Sequence, residues 1–200
     1  MNSESSITEP SAKCLRVIMK ILVTGCERSG TKMLAAKLGD EHQVEFSLEN
    51  KHTISSFRYY QELQKWNKYV LAPVPTIHTK DHEKHSLNQE VNIDFLKWVK
   101  NTFPEVKIFF IIRDGRNVVS SIINKAWGHS QTIPEYKINL EDACSQWNEV
   151  IDKTWDWAKE NCEIVKYEDE SNIISTPLSE EEIALATPLL EKNLRKTGYL

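Results

Sequence analysis

Glycine is scarce in this chain. Only six occur in 200 residues, so two glycines close together mark a turn with a purpose. Cysteine is scarce as well. Cys14, Cys26, Cys144 and Cys162 form no C-x-x-C pair, and no histidine stands at zinc-finger spacing from two of them. That excludes a disulfide-stapled miniprotein and leaves reduced, partly buried thiols of a cytoplasmic protein as the expectation. Long hydrophobic runs are missing. The stretches around Arg16–Val23 and Val106–Ile112 are interrupted by Lys or Arg and fall short of the ~20 apolar residues a spanning helix needs. A basic excess is also missing: 25 Lys and Arg stand against 29 Asp and Glu, a net charge of −4. Bulk nucleic-acid binding is therefore not expected, although a local basic pocket is compatible with this balance. Residues 1–13 are polar and carry no apolar stretch of a secretory signal.

What is present suits one globular domain. Hydrophobic residues make up 40% and charged residues 27%, enough for one real core. No internal repeat or linker is visible. Residues 1–18 read as a dispensable tail, and residues 19–200 as the domain. Val17–Val23 is rich in β-branched residues and leads to Gly25, which predicts a buried strand. Thr31–Leu38 follows with good helix formers and stops at Gly39. Gln43–Ser47 alternates and predicts a second strand. Tyr69–Ala72 is short and apolar, and Thr76–Lys80 reads as a strand end or a loop. Asp94–Asn101 has apolar residues at i, i+3 and i+4 and predicts a helix. Val106–Ile112 is the clearest strand, continuous as a central parallel strand is. Helices are expected at Asn117–Trp127, Leu140–Lys159 and Ser179–Lys196, and a last strand at Glu163–Tyr167. This alternation predicts an α/β domain, with a parallel sheet of about five strands flanked by helices.

Three segments carry chemistry. The first is Gly25-Cys26-Glu27-Arg28-Ser29-Gly30-Thr31-Lys32, between a strand and a helix. Backbone N–H groups at such a turn and the helix dipole cradle phosphate. The Walker pattern ends Gly-Lys-Ser/Thr, whereas here Thr31 precedes Lys32. A cation, Arg28, stands inside the loop instead, which suits an anion held without a metal. The second segment is Phe109–Ser121. It places Arg113 at the C-terminal end of a central strand, where ligands bind in open α/β sheets. Ser121 follows eight residues later on the next helix. A guanidinium and a hydroxyl so placed can share one phosphate. The third is Val165-Lys166-Tyr167-Glu168-Asp169, which alone reads as a solvated strand end.

Together these segments resemble the sulfotransferases that use 3′-phosphoadenosine 5′-phosphosulfate (PAPS). The resemblance runs from about Met19 to Tyr199 and implies a P-loop-like domain. It implies that the loop of Arg28, Ser29, Gly30, Thr31 and Lys32 binds the 5′-phosphosulfate, and that Arg113 and Ser121 bind the 3′-phosphate. It also implies a place for Tyr167 beside the nucleotide. The aromatic that stacks on adenine in cytosolic members falls at Met33, and the Gly/Lys-rich C-terminal loop of those members is not found. The pattern looks more like bacterial or glycan- and tyrosyl-directed branches. No metal is implied.

Sulfuryl transfer needs cations beside the leaving phosphate and a base for the acceptor's proton. The resemblance gives Arg28 and Lys80 as the cations. Two residues stand at the family's spacings for the base. Glu49 lies twenty-one residues after Arg28, as in tyrosylprotein members, and His82 lies two after Lys80, as in cytosolic members. Glu49 is the first choice because its path from Arg28 needs no gap. His78, His82 and His85 invite a metal reading, but Pro75 and the polar run around them argue against an ordered site. The expected partners are PAPS and an acceptor that is a glycan, a phenol or another small molecule; oligomeric state stays open. The alternatives are a nucleotide or small-molecule kinase, and a non-catalytic nucleotide-binding protein.

Overall fold

The computed structural model describes residues 21–42, 71–73, 76–78, 89–91, 93–124, 138–171 and 176–200. In chain order the first elements are β1 (Ile21–Gly25), α1 (Thr31–His42), β2 (Leu71–Pro73), β3 (Thr76–His78), β4 (Gln89–Val91) and α2 (Ile93–Thr102). Then come β5 (Lys107–Ile112), α3 (Gly115–Ile123), α4 (Leu140–Asn161), β6 (Glu163–Lys166), α5 (Tyr167–Glu170) and α6 (Glu180–Thr197). The main sheet has the order β2-β1-β5-β6, and each neighbouring pair is parallel. β3 and β4 pair antiparallel in a separate ribbon.

β1 and β5 are nearly continuous apolar runs because both faces of the sheet are covered. Side chains alternate across the strands. Leu22, Ile108, Phe110 and Ile112 join the larger core cluster, with residues of α2, α3, α4 and α6. Ile21, Val23, Phe109 and Ile111 belong to the other cluster, with Leu34, Ala35 and Leu38 of α1 and with Tyr167. Trp147 is buried in the larger cluster, and Trp155 meets Phe110 edge-on at 6.1 Å between centroids. Local signals set the helix ends. Asn139 caps α4 by accepting from the Asp142 N–H at 2.7 Å. Ser179 and Glu182 form a capping box at the start of α6, and Gly198 closes its end in the left-handed conformation.

The sheet departs from the expected five strands: among the described residues it has four. Gln43–Ser47, expected as a strand, lies outside the described residues, as does residues 1–20, which hold the proposed tail. Pro73 is part of β2, opposite Val23, which an edge strand tolerates. Thr76–His78 is a strand, but of the separate ribbon. Gly39 does not stop α1; it is buried within the helix, four residues after the buried Ala35. The helix after Arg113 ends at Ile123, earlier than expected. Tyr167 is not the end of β6 but the start of α5.

Candidate functional site

The site is built at the C-terminal ends of β1, β5 and β6. Gly25 ends β1 against β5, where a Cβ would lie 2.4 Å from the Ile111 carbonyl oxygen. The chain then turns, with the Ser29 N–H donating to the Cys26 carbonyl at 3.1 Å. α1 begins with the Leu34 N–H donating to the Gly30 carbonyl at 3.0 Å. No acidic residue stands in the first turn of α1. Its positive end therefore faces the loop without a carboxylate on its own first turn.

Arg28 sits in this loop with φ of 66°, the only positive φ on a non-glycine residue among those described. Such a conformation costs roughly 1–2 kcal/mol for a side-chain-bearing residue and persists where surrounding contacts hold it. Two contacts do so here. Arg113 Nη1 donates to the Arg28 carbonyl at 3.1 Å, and Arg28 Nε donates to Ser121 Oγ at 3.1 Å. The loop is thus clamped from the end of β5 and from α3.

Arg113 is only 5% exposed. Its guanidinium lies over the Tyr167 ring, 4.1 Å from the centroid. Burial lowers its pKa, Tyr167 and Glu168 raise it, and the neighbouring Arg28 lowers it again. It stays charged, as an arginine does in proteins. The same Tyr167 ring presses on the loop: a Cβ on Gly30 would lie 2.5 Å from its Cδ2. Asp114 does not neutralise Arg113. It pairs in a fork with Arg116, at 3.0 and 2.6 Å, and caps α3 by accepting from the Arg116 N–H at 2.9 Å. Beneath this turn lies Trp147, 2.9 Å from where a Gly115 Cβ would be.

Two cations therefore stand side by side near a helix N-terminus. Ser29 is fully buried in the same loop, and its Oγ has no hydrogen-bond partner. Leaving a buried hydroxyl unpaired costs about 1–3 kcal/mol. In chemical terms the arrangement offers charge and hydrogen-bond donors to an anion.

The sequence-predicted residues fall into three groups. Arg28, Ser29, Gly30, Arg113, Ser121 and Tyr167 converge, with Thr31 opening α1 beside them. Ser121 touches Arg28 rather than pairing with Arg113, so the expected two-residue clamp is part of one cluster. Lys32 is exposed on α1, and Met33 packs half-buried against the cluster of Ile21, Val23 and Leu34. Glu49, Lys80 and His82 lie outside the described residues. Sequence reasoning missed two participants. Glu168 Oε1 accepts from the Asp114 N–H at 3.1 Å, and its Oε2 accepts from the Tyr199 hydroxyl at 2.7 Å. Glu168 belongs to a motif that was visible; no sequence signal marks Tyr199. Among the described residues, no three His, Cys, Asp or Glu side chains are grouped to hold a metal. No described helix is long and apolar enough to cross a membrane.

No protein-family model and no curated protein sequence matches the chain. Solved structures do. Mouse sulfotransferase SULT7A1, solved in complex with PAP, is similar over 85% of this chain and 62% of its own, at 15% identity and a TM-score of 0.51. That likeness shows the fold. It is a P-loop-like α/β domain with a parallel sheet flanked by helices, and this chain spans less than two thirds of that sulfotransferase. A gluconokinase from Sinorhizobium meliloti matches over 90% of this chain and 96% of its own, at 9% identity and a TM-score of 0.47. Shikimate kinase from Bacteroides thetaiotaomicron covers 90% and 99%, at 11% identity and a TM-score of 0.48.

Proposed function

We propose that this protein transfers a sulfuryl group from PAPS to a hydroxyl or amine of an acceptor. One observation carries the reading. The phosphate loop holds a cation of its own, Arg28, which meets Ser121, while Arg113 holds the Arg28 carbonyl. A nucleotide with anions at both ends suits this pairing of loop and strand end. The fold shared with a sulfotransferase solved with PAP is compatible with it.

In the proposed reaction the acceptor's oxygen or nitrogen forms a bond to sulfur. The bond from sulfur to the bridging oxygen of the 5′-phosphate breaks. That oxygen leaves with the electron pair, as part of 3′-phosphoadenosine 5′-phosphate (PAP). The acceptor's proton passes to a base, for which Glu49 is the first candidate and His82 the second. Arg28, with Lys80 as a second cation, is assigned to the charge that grows on the leaving phosphate. The 3′-phosphate is assigned to Arg113 and Ser121, and the 5′ end to the loop of Ser29, Gly30, Thr31 and Lys32. Positioning and charge stabilisation carry most of such a transfer, by analogy with phosphoryl transfer.

Calorimetry with PAP and with ATP, each with magnesium and with EDTA, tests the reading. PAP is expected to bind equally well in both. A preference for ATP that requires magnesium would replace this reading by a kinase. Binding of PAP with no turnover of PAPS on any acceptor would leave a nucleotide-binding protein.

A further inference from the structure

The end of β5 is held from behind by residues that are far from it in sequence. Asp114 follows Arg113 directly and opens α3. Its N–H donates to Glu168 Oε1 on α5, and the other oxygen of that carboxylate accepts from the Tyr199 hydroxyl. The same hydroxyl lies 3.4 Å from the Ile112 carbonyl, on the other side of Arg113 in the chain. Tyr199 is itself well fixed. Its N–H donates to the Leu194 carbonyl at 2.8 Å after the left-handed Gly198. Its ring packs on the larger core cluster, with Lys166 Nζ 5.3 Å from the ring centroid.

This linkage does two things. It fixes the peptide that follows Arg113, through the Asp114 N–H, and it keeps a carboxylate where its charge acts on the Arg113 guanidinium. A carboxylate that swung onto that guanidinium would compete with any anionic ligand. With one oxygen on the Asp114 N–H and the other on Tyr199, Glu168 is held by both ends. Burial and the Glu168 carboxylate push the Tyr199 hydroxyl well above the usual phenol range, so it remains a donor at neutral pH.

We propose that Tyr199 is a positioning residue for the 3′-phosphate half of the site, acting through Glu168 on the Asp114 peptide. The proposal rests on the donor site described above, but its geometry can be read without a nucleotide. Tyr199→Phe keeps the ring and its packing and removes only the hydroxyl. Three measurements apply. Hydrogen exchange of the intact protein reads the Asp114 amide; Tyr199→Phe is expected to speed it several-fold while leaving the β1 amides unchanged. Calorimetry reads PAP against adenosine 5′-monophosphate; the variant is expected to lose about 3–10-fold for PAP and less than about twofold for the nucleotide without the 3′-phosphate, a shift within the range of one hydrogen bond. Combining Tyr199→Phe with Glu168→Ala is expected to cost PAP affinity no more than Glu168→Ala alone, since both act in one linkage.

Unchanged exchange at Asp114 overturns the proposal whatever nucleotide binds. So does an equal loss for both nucleotides with a lower melting temperature, which would make Tyr199 a support of the fold alone. If the unaltered protein binds no PAP, the sulfotransferase reading falls, and the exchange measurement still decides the linkage.

Discussion

Replacing Gly30 by alanine should break the site and the fold together. Gly30 has φ of 95°, a conformation that costs a residue with a Cβ roughly 1–3 kcal/mol. Its new methyl would stand 2.5 and 2.7 Å from Cδ2 and Cε2 of Tyr167. Carbon atoms pack at about 3.5–4.0 Å, so the ring would have to retreat by roughly 1 Å. It has little room to do so. The Arg113 guanidinium lies over it at 4.1 Å, and Ser171 Oγ lies 3.3 Å from its hydroxyl. Overpacking of this kind costs typically 1–3 kcal/mol. The sum is about 2–6 kcal/mol, a large share of the ~5–15 kcal/mol that holds a domain folded. Urea unfolding followed by tryptophan fluorescence measures it. The steric share is separable. In a Tyr167→Leu background the ring is gone, and Gly30→Ala should cost only its backbone share. A loss below about 1 kcal/mol, or equal losses in the two backgrounds, would refute the packing of Tyr167 on the loop.

Other outcomes follow from the same structure. Arg113→Ala should weaken PAP by roughly 2–4 kcal/mol, the cost of truncating one side of a buried charge contact, and adenosine 5′-phosphosulfate much less; calorimetry with both ligands checks it. Arg28→Gly should stay within about 1 kcal/mol of the unaltered protein in urea unfolding, because relief of the left-handed strain offsets the lost contact to Ser121, yet it should abolish nucleotide binding. Ser179→Ala should cost about 1 kcal/mol through loss of the capping box, read as a lower urea midpoint. Burial pushes the Cys144 thiol from 9.0 up to about 11 and the Cys162 thiol up to about 12. The folded state therefore holds protons that the unfolded state releases above pH 9. Stability from these thiols is fully present below pH 9 and falls as pH rises toward 12, and an unfolding series across that range measures the slope. Glu49→Gln should lower kcat by about 10²–10⁴ with PAP affinity unchanged, and His82→Asn should do less; turnover with a working acceptor ranks them.

Much of the local structure was legible in the sequence because its causes are local. Val106–Ile112 has the continuous apolar run of a strand covered on both faces, and it is β5. The strand, loop and helix around Gly25–Thr31 follow from β-branched residues, two glycines and a run of helix formers. Ser179 with Glu182 announces the start of α6 by a contact three residues long. Boundaries were less legible wherever packing overrode propensity. Gly39 stays helical because it lies buried in α1, and Tyr167 leaves the strand for α5, where its ring lies under Arg113. What the sequence alone could not decide is which distant residues meet. Arg28 and Ser121 are 93 positions apart, and Arg113 and Arg28 are 85 apart. Their meeting depends on β1 lying beside β5 in a parallel sheet, a pairing that no local pattern encodes. The same holds for Tyr199, which reaches Glu168 only because α6 packs against α3 and α4 and returns the chain to the end of β5. Spacing and residue type marked two candidate anion-binding points, the loop around Arg28 and the strand end at Arg113. Tertiary structure decided that Arg28, Arg113, Ser121 and Tyr167 meet in one cluster, because parallel strands can be joined only through long crossovers and their order is set by the burial of both sheet faces.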